Sequence, residues 1–359
     1  MDDKQGRRHW GQAPWRRGPS YGRAALPRAP EVAIIGGGLT GVSAAYHLAR
    51  RGVNAALFEA DRIGGGASGR TGGIVLEGLS SGPREGARDC VPRLKQLVDE
   101  LGIDCDLRLP GCWEIVHRAR DERSRLPIRD NDSSIEILRT VPGGAAEPGA
   151  LTAGIAEAAV RAGAVIREHC AVERIGLKPL EIVVDGVEIS PGNVIVAVNA
   201  WLPAIFPTLR NIHSALTYAV VTEPLSEAAL EEIGMGGRIP FYTADTPYLW
   251  ARVCADRSVV FGAGLSYGDP LGLEAVAMTD AEPAEILARM ERRVHQLHPV
   301  LSRTAITSGW AGPIAFREGA IPVLMGHPEN ERVLMAAAIV DGATLPAWGA
   351  CDLVTNLRK

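Results

Sequence analysis

Val32, Ala33, Ile34 and Ile35 form a short unbroken apolar run, the pattern of a strand buried on both faces. Directly after it Val42, Ala45, Tyr46 and Ala49 recur at helical spacing, and Gly52 stands where a left-handed C-terminal cap is wanted. Asn54 to Phe58 predicts a second strand that ends in Glu59. Helices are predicted over 91–102, with Leu94, Leu97, Val98 and Leu101 on one face, and over 148–162, with Leu151, Ile155, Ala158 and Ala159 inward. Strands are predicted at Ile103–Arg108, Cys112–His117, Ala164–Arg167, Ile182–Val187, Asn193–Val198 and Val333–Ala338. The Arg- and Asp-rich stretch from Ala119 to Asp132 predicts a solvated connection. Between 202 and 303 the pattern changes. Alternation in Ala219–Thr222, Tyr248–Arg252 and Ser258–Phe261 predicts antiparallel strands, covered by a helix over 283–297 with Pro283 in its first turn.

Between the first strand and helix, Gly36, Gly38 and Gly41 stand in G-x-G-x-x-G spacing. Gly36 allows the tight turn, Gly38 lets backbone approach a pyrophosphate, and Gly41 lets helix and strand pack closely. The helix start, with Leu39 and Thr40, offers unpaired N–H groups to phosphate. Glu59, at the tip of the second strand, is placed to accept adenosine ribose hydroxyls. The order strand, glycines, amphipathic helix, strand, acid predicts a dinucleotide site.

A second glycine-rich stretch follows, GGGASGRTGG from Gly64 to Gly73. Here the chain resembles the D-amino acid oxidase family of FAD-dependent oxidoreductases, which includes glycine oxidase and sarcosine oxidase, and most of all its gamma-glutamylputrescine oxidoreductase-like branch, which carries G-x-G-A-S-G-R-N-G-G at this place. Thr71 stands where that branch has Asn. The resemblance implies noncovalent FAD, lined by Ala60, Arg62, Gly66, Ala67, Ser68, Gly69, Arg70, Thr71, Gly72 and Gly73. It further implies adenine contact at Val172, a strand-to-loop crossing beneath the cofactor at Asn199, Ala200 and Trp201, and a C-terminal loop at Gly342. The last loop departs from the family: Ile339-Val340-Asp341-Gly342-Ala343-Thr344 replaces its usual Gly-His-Gly. Both substrate-domain segments are also shorter than usual for the family.

The implied architecture is α/β, a discontinuous Rossmann-like FAD-binding domain (31–102, 140–201 and 304–359) with an antiparallel-sheet α+β substrate domain (103–139 and 202–303). Residues 1–30, rich in Arg, Gly and Pro, predict a flexible surface arm. Its arginine pairs, Arg7-Arg8 and Arg16-Arg17, are followed by no apolar export region. The expected activity is oxidation of a C–N bond in an amine or amino acid, with Tyr248, Arg252 and Arg317 as candidates near the substrate. Two rivals stand beside it: a noncatalytic or electron-passing subunit of a larger oxidoreductase, and a nicotinamide-dependent dehydrogenase.

Composition narrows the partners. The 359 residues are 46% hydrophobic with a net charge of −4 and pI near 6.1, which gives no pull toward nucleic acid. No apolar run approaches the ~20 residues that span a bilayer. Six scattered cysteines without C-x-x-C or a cysteine–histidine cluster predict free thiols, no metal site and a cytoplasmic location. Homo- and hetero-oligomers stay open.

Overall fold

The computed structural model describes residues 9–22, 25–77, 89–117, 125–209, 211–317 and 322–337. Its organising strand is β1 (Val32–Ile35), buried at every position. It pairs in parallel with β2 (Ala55–Phe58) on one side and β12 (Asn193–Val196) on the other. β8 (Val165–Arg167) extends the sheet beyond β2, and β19 (Asn330–Ala337) extends it beyond β12. The antiparallel β18 (Val323–His327) closes the far edge. Successive β1 residues feed opposite faces. Val32 and Ile34 pack under α1 (Leu39–Ala49), α2 (Cys90–Leu101) and α3 (Pro148–Arg161). Ala33 and Ile35 pack against a small sheet of β9 (Val172–Leu177), β10 (Leu180–Val184) and β11 (Val187–Ile189).

The second large sheet has the order β17 (Ile306–Phe316), β13 (His213–Thr222), β16 (Val259–Gly268), β15 (Trp250–Val253), β14 (Phe241–Thr243), β4 (Cys112–His117), β6 (Ser133–Val141) and β5 (Arg125–Asp130). It is antiparallel throughout except for the β14–β4 pair. Helix α7 (Ala281–Leu297) covers one face through Ile286, Met290, Val294 and Leu297, while α4 (Leu202–Ile205), α5 (Glu227–Glu232) and α6 (Pro270–Ala275) are short connectors. A two-stranded ribbon, β3 (Ile74–Leu76) with β7 (Gly143–Ala145), links the two halves. The mixed α/β class therefore matches expectation.

Four expectations are corrected. Ile103–Arg108 is not a strand: Asp106 has a φ of 47° in the left-handed region, and only Arg108 forms an isolated bridge, to Ala145. The charged stretch before Asp132 contains the edge strand β5, whose Leu126, Ile128 and Asp130 point inward. Residues 306–316, expected to have returned to the cofactor unit, pair with β13 in the eight-stranded sheet. The N-terminal arm, where described, is not a loose surface segment: Trp10 is fully buried, and Trp15 is 8% exposed. Trp10 Nε1 donates to the Leu273 carbonyl at 2.9 Å, and the Ala311 N–H donates to the Trp10 carbonyl at 2.8 Å. Arg16 adds ion pairs to Asp104 and Glu147, the latter the N-cap of α3.

Candidate active site

The first glycine turn is shaped by close backbone approach. A Cβ on Gly41 would sit 1.9 Å from the Gly36 carbonyl oxygen, so helix and strand pack closely only without a side chain there. Gly36 itself has a φ of +105°. Gly38 is different: a Cβ there would meet only the Ser68 side chain, with Oγ at 2.9 Å. Its Cα thus faces the opening that a pyrophosphate would enter at the start of α1. Ser68 Oγ accepts the Leu39 N–H at 2.8 Å and ties the second glycine stretch to the helix start. Glu59 is 8% exposed and accepts the Gly37 N–H at 2.7 Å and the Asp61 N–H at 2.8 Å, one bond to each oxygen. A carboxylate at this strand tip is an acceptor suited to ribose hydroxyls.

The second glycine stretch is clamped from three directions. Arg70 Nη1 donates to the Gly11 carbonyl of the arm at 2.7 Å, and Trp310 Nε1 donates to the Arg70 carbonyl at 2.9 Å. Trp15 Nε1 donates to the Thr71 carbonyl at 3.0 Å. At Gly72 a Cβ would lie 2.2 Å from the Trp250 ring, so the loop rests directly on β15 of the antiparallel sheet.

One cavity of about 1380 Å³ runs between the two sheets. Its walls include Gly36, Gly38, Leu39, Thr40, Glu59, Ala60, Gly66, Ala67, Ser68, Arg70, Thr71, Gly72, Val172, Asn199 and Trp201 of the expected residues, and Tyr248 at its far end. Gly41, Arg62, Gly69, Gly73 and Ala200 lie off its surface; Gly41 acts through packing instead. Gly342 lies outside the described residues. Arg252 and Arg317 do not line the cavity either. Arg252 is 2% exposed, its guanidinium carbon 4.6 Å from the centre of the Trp15 ring, and its Nε has no hydrogen-bond partner among the described residues. Burial pushes its pKa below the usual arginine value.

At the far end, three residues the sequence reading missed, Glu114, Arg139 and Arg293, stand beside Tyr242. Glu114 of β4, Arg139 of β6, Tyr242 of β14 and Arg293 of α7 all reach the cavity. Glu114 Oε2 accepts from Arg139 Nη2 at 2.9 Å and from the Tyr242 hydroxyl at 2.8 Å. Burial works to raise the Glu114 pKa, but these two hydrogen bonds outweigh it and the net shift is downward, so the carboxylate is ionised. Burial, reinforced by the bond to Glu114, raises the Tyr242 phenol and keeps it a donor. Arg293 spends its donors on Asp130 Oδ1 at 2.8 Å and on the Tyr248 and Pro247 carbonyls at 2.9 Å. His117 stands between Asp130 and Asp245, its Nε2 2.8 Å from Asp130 Oδ2 and its Nδ1 2.7 Å from Asp245 Oδ1. This network braces the 244–248 wall. The available signal was the inward alternation of β4, which puts Glu114 on the same face as the cavity.

The glycine cradle, the helix start and the buried acid fit a bound dinucleotide, and the second glycine stretch continues that fit toward the antiparallel sheet. A family model described as FAD dependent oxidoreductase matches residues 31–357. The chain belongs to the FAD-dependent oxidoreductase family. This oxidoreductase is 29% identical over 294 residues to gamma-glutamylputrescine oxidoreductase of Escherichia coli, covering 69% of this chain and 68% of that protein. It is 24% identical over 368 residues to glycine oxidase of Bacillus subtilis, with 92% and 94% covered. The fold is shared with glycine oxidase of Geobacillus kaustophilus, at a TM-score of 0.71 and 19% identity, over 92% of this chain and 95% of that one. FAD is the cofactor of this family. The five described cysteines are buried, and none forms a disulfide among the described residues. Among the described residues no group of three or more His, Cys, Asp or Glu side chains is arranged to hold a metal, and no helix is long and apolar enough to cross a membrane.

Proposed function

We propose that this chain oxidises a C–N bond of an amine or amino acid with noncovalently held FAD. The observation that carries the reading is the continuity of the cavity. It passes from the dinucleotide cradle at Gly38, Glu59 and Val172, past the clamped Arg70–Gly72 stretch, into a chamber walled by Tyr242, Tyr248, Trp250 and Glu114. A flavoprotein that only relayed electrons would need no room beyond the flavin. The relatives' own names, gamma-glutamylputrescine oxidoreductase and glycine oxidase, refer to amines and amino acids.

When bound, FAD supplies a two-electron acceptor for the hydride on the carbon next to nitrogen, and water hydrolyses the resulting imine. The protein's own contribution is placement. Arg70 and Thr71 hold the second glycine stretch through the arm and Trp310, Trp250 buttresses Gly72, and Trp201, Tyr218 and Phe316 supply apolar surface that excludes water. The parallel sheet as cofactor holder and the antiparallel sheet as substrate wall, and a reducing, cytoplasmic setting for the free thiols, belong to the same proposal.

The test is an absorption spectrum of the purified chain followed by anaerobic bleaching with a panel of primary amines, secondary amines and amino acids. Flavin absorption with bleaching by members of the panel supports the reading. Full flavin content with no bleaching by any of them, but reduction by an electron-donor protein, would replace it with the electron-passing role.

A further inference from the structure

Between β14 and β15 the chain leaves the eight-stranded sheet at Thr243 and returns at Leu249. The two ends are clasped: the Thr243 N–H donates to the Leu249 carbonyl and the Leu249 N–H to Thr243 Oγ1, both at 2.9 Å. The base of the excursion is therefore fixed. Its Ala244, Pro247 and Tyr248 wall the far chamber, yet Tyr248 is 49% exposed, so burial does little to hold the tip. Two side chains hold it instead. Arg293 of α7 donates to the Pro247 and Tyr248 carbonyls. His117 of β4 grips Asp245 twice, through its backbone N–H to Oδ2 at 2.9 Å and through ring Nδ1, 2.7 Å from Oδ1. Both side chains are anchored on the carboxylate of Asp130, Arg293 through Nε and His117 through Nε2, each at 2.8 Å.

We propose that His117 is a positioning residue for the substrate chamber: as an imidazolium it bridges Asp130 and Asp245 and holds the Ala244–Tyr248 wall closed, and on losing its proton it lets Asp245 go. The inference rests on the amine-oxidation reading for its kinetic readout alone, and the latch itself belongs to the chain.

The count of donors requires the charge. A carboxylate accepts, so a ring nitrogen that bonds one must carry a hydrogen, and two such nitrogens make an imidazolium. Burial works to raise the Asp130 pKa, but the bonds from Arg293 and His117 outweigh it and the net shift is downward, so Asp130 is ionised. With His117 protonated, the two cations His117 and Arg293 face the carboxylates of Asp130 and Asp245, while β6 sets the apolar Ile135 opposite His117. Loss of the proton upsets that balance and turns one ring lone pair toward a carboxylate oxygen. Burial decides which bond goes. The Asp130 side chain is fully buried and cannot be hydrated, whereas that of Asp245 is 38% exposed and exchanges the lost bond for water. The remaining proton therefore stays on Nε2, and Nδ1 repels Asp245. Arg293 keeps its two carbonyls, so the wall loosens at one anchor without leaving the sheet.

The wild-type chain is compared with His117→Gln and, at the more exposed end of the bridge, with Asp245→Asn. All three are assayed as holoenzyme with an amine that bleaches the flavin, from roughly pH 5 to roughly pH 9, a span that contains the charge change of histidine. The amine's own titration is common to them and cancels in a ratio. KM of each variant over wild type should be about tenfold at the acid end, the factor of one charge-assisted hydrogen bond, and should fall to about one at the alkaline end, with the kcat ratio near one throughout. Hydrogen exchange at the Asp245, Thr246 and Tyr248 amides, taken against the intrinsic rate at each pH and without substrate, should show the same convergence. A KM ratio that stays constant with pH makes His117 a structural residue and overturns the proposal, as does a change confined to kcat. If one variant does not fold, the other carries the comparison. If no amine is turned over, the amine reading falls and exchange decides alone: loops that match wild type at every pH, or differ from it equally at every pH, sink the latch.

Discussion

Replacing Trp15 tests whether the N-terminal arm is part of the site. The side chain is 8% exposed, packs edge-on against Trp310 with ring centroids 5.9 Å apart, covers the buried Arg252 guanidinium and donates to the Thr71 carbonyl. Truncating a buried aromatic residue to Ala costs about 3–5 kcal/mol. A desolvated cation–π contact is worth about 2 kcal/mol and a hydrogen bond about 1 kcal/mol, and both overlap with the truncation term because one side chain makes all the contacts. The expected loss for Trp15→Ala is therefore about 4–6 kcal/mol, a large share of the roughly 5–15 kcal/mol that holds a folded protein together. Trp15→Phe keeps a ring on Arg252 and loses the donor to Thr71, so about 1–2 kcal/mol should go. Urea unfolding reads the stabilities, and flavin released on dilution reads the grip of the Arg70–Gly72 stretch. Both should rank wild type above Phe and Phe above Ala. If Trp15→Ala unfolds within about 1 kcal/mol of wild type and keeps its flavin, the arm is decoration and the reasoning fails.

Further outcomes follow from other sites. Gly38→Val should purify folded but without flavin, since its side chain fills the pyrophosphate approach, whereas Gly41→Ala should fail to fold stably because its Cβ meets the Gly36 carbonyl; circular dichroism and flavin content together separate the two. Asp130→Asn removes the charge that faces Arg293 and His117 and should cost about 3 kcal/mol in urea unfolding, with a raised KM from a loosened Pro247–Tyr248 wall. Burial, helped by Arg51 and Arg50, lowers the His47 pKa from 6.5 to about 4. The unfolded chain thus takes up a proton below 6.5 that the folded one refuses until about 4, so stability should fall as pH drops through that window; His47→Gln should flatten this part of the profile. Because hydride leaves from a neutral amine, anaerobic bleaching should speed up from roughly pH 6 to pH 9, and a flat profile with chemistry limiting would count against amine oxidation.

The cofactor half was legible because its signals are local. Val32–Ile35, the three glycines and the helical stripe of α1 lie within one stretch, and each residue's task follows from its neighbours in sequence. The same holds for α3 and α7, whose inward stripes have helical period. What escaped depends on partners far away in the chain. Trp10 and Trp15 sit among Gly, Pro and Arg with no period, and their burial is visible only once Leu273, Trp310 and Arg252 come together over them. β5 was hidden because Asp130 occupies an inward position where alternation expects an apolar residue, its charge answered by Arg293. Glu114 and Arg139 become a pair through cross-strand register, which no single strand's alternation encodes. The C-terminal loop with Asp341 and Gly342 lies outside the described residues.

The arm also sets an order of events. Trp10 finds its hydrogen-bond partner Leu273 only 263 residues later in the chain. At the usual synthesis rate of about 5–20 residues per second, that interval lasts roughly 13–50 s. The three glycines between β1 and α1 emerge early, yet the contacts of Trp250 with Gly72 and of Trp310 with Arg70 have to wait for β15 and β17. Until those elements are made, Trp10 lacks its partner Leu273 and the second glycine stretch lacks the hold of Trp310.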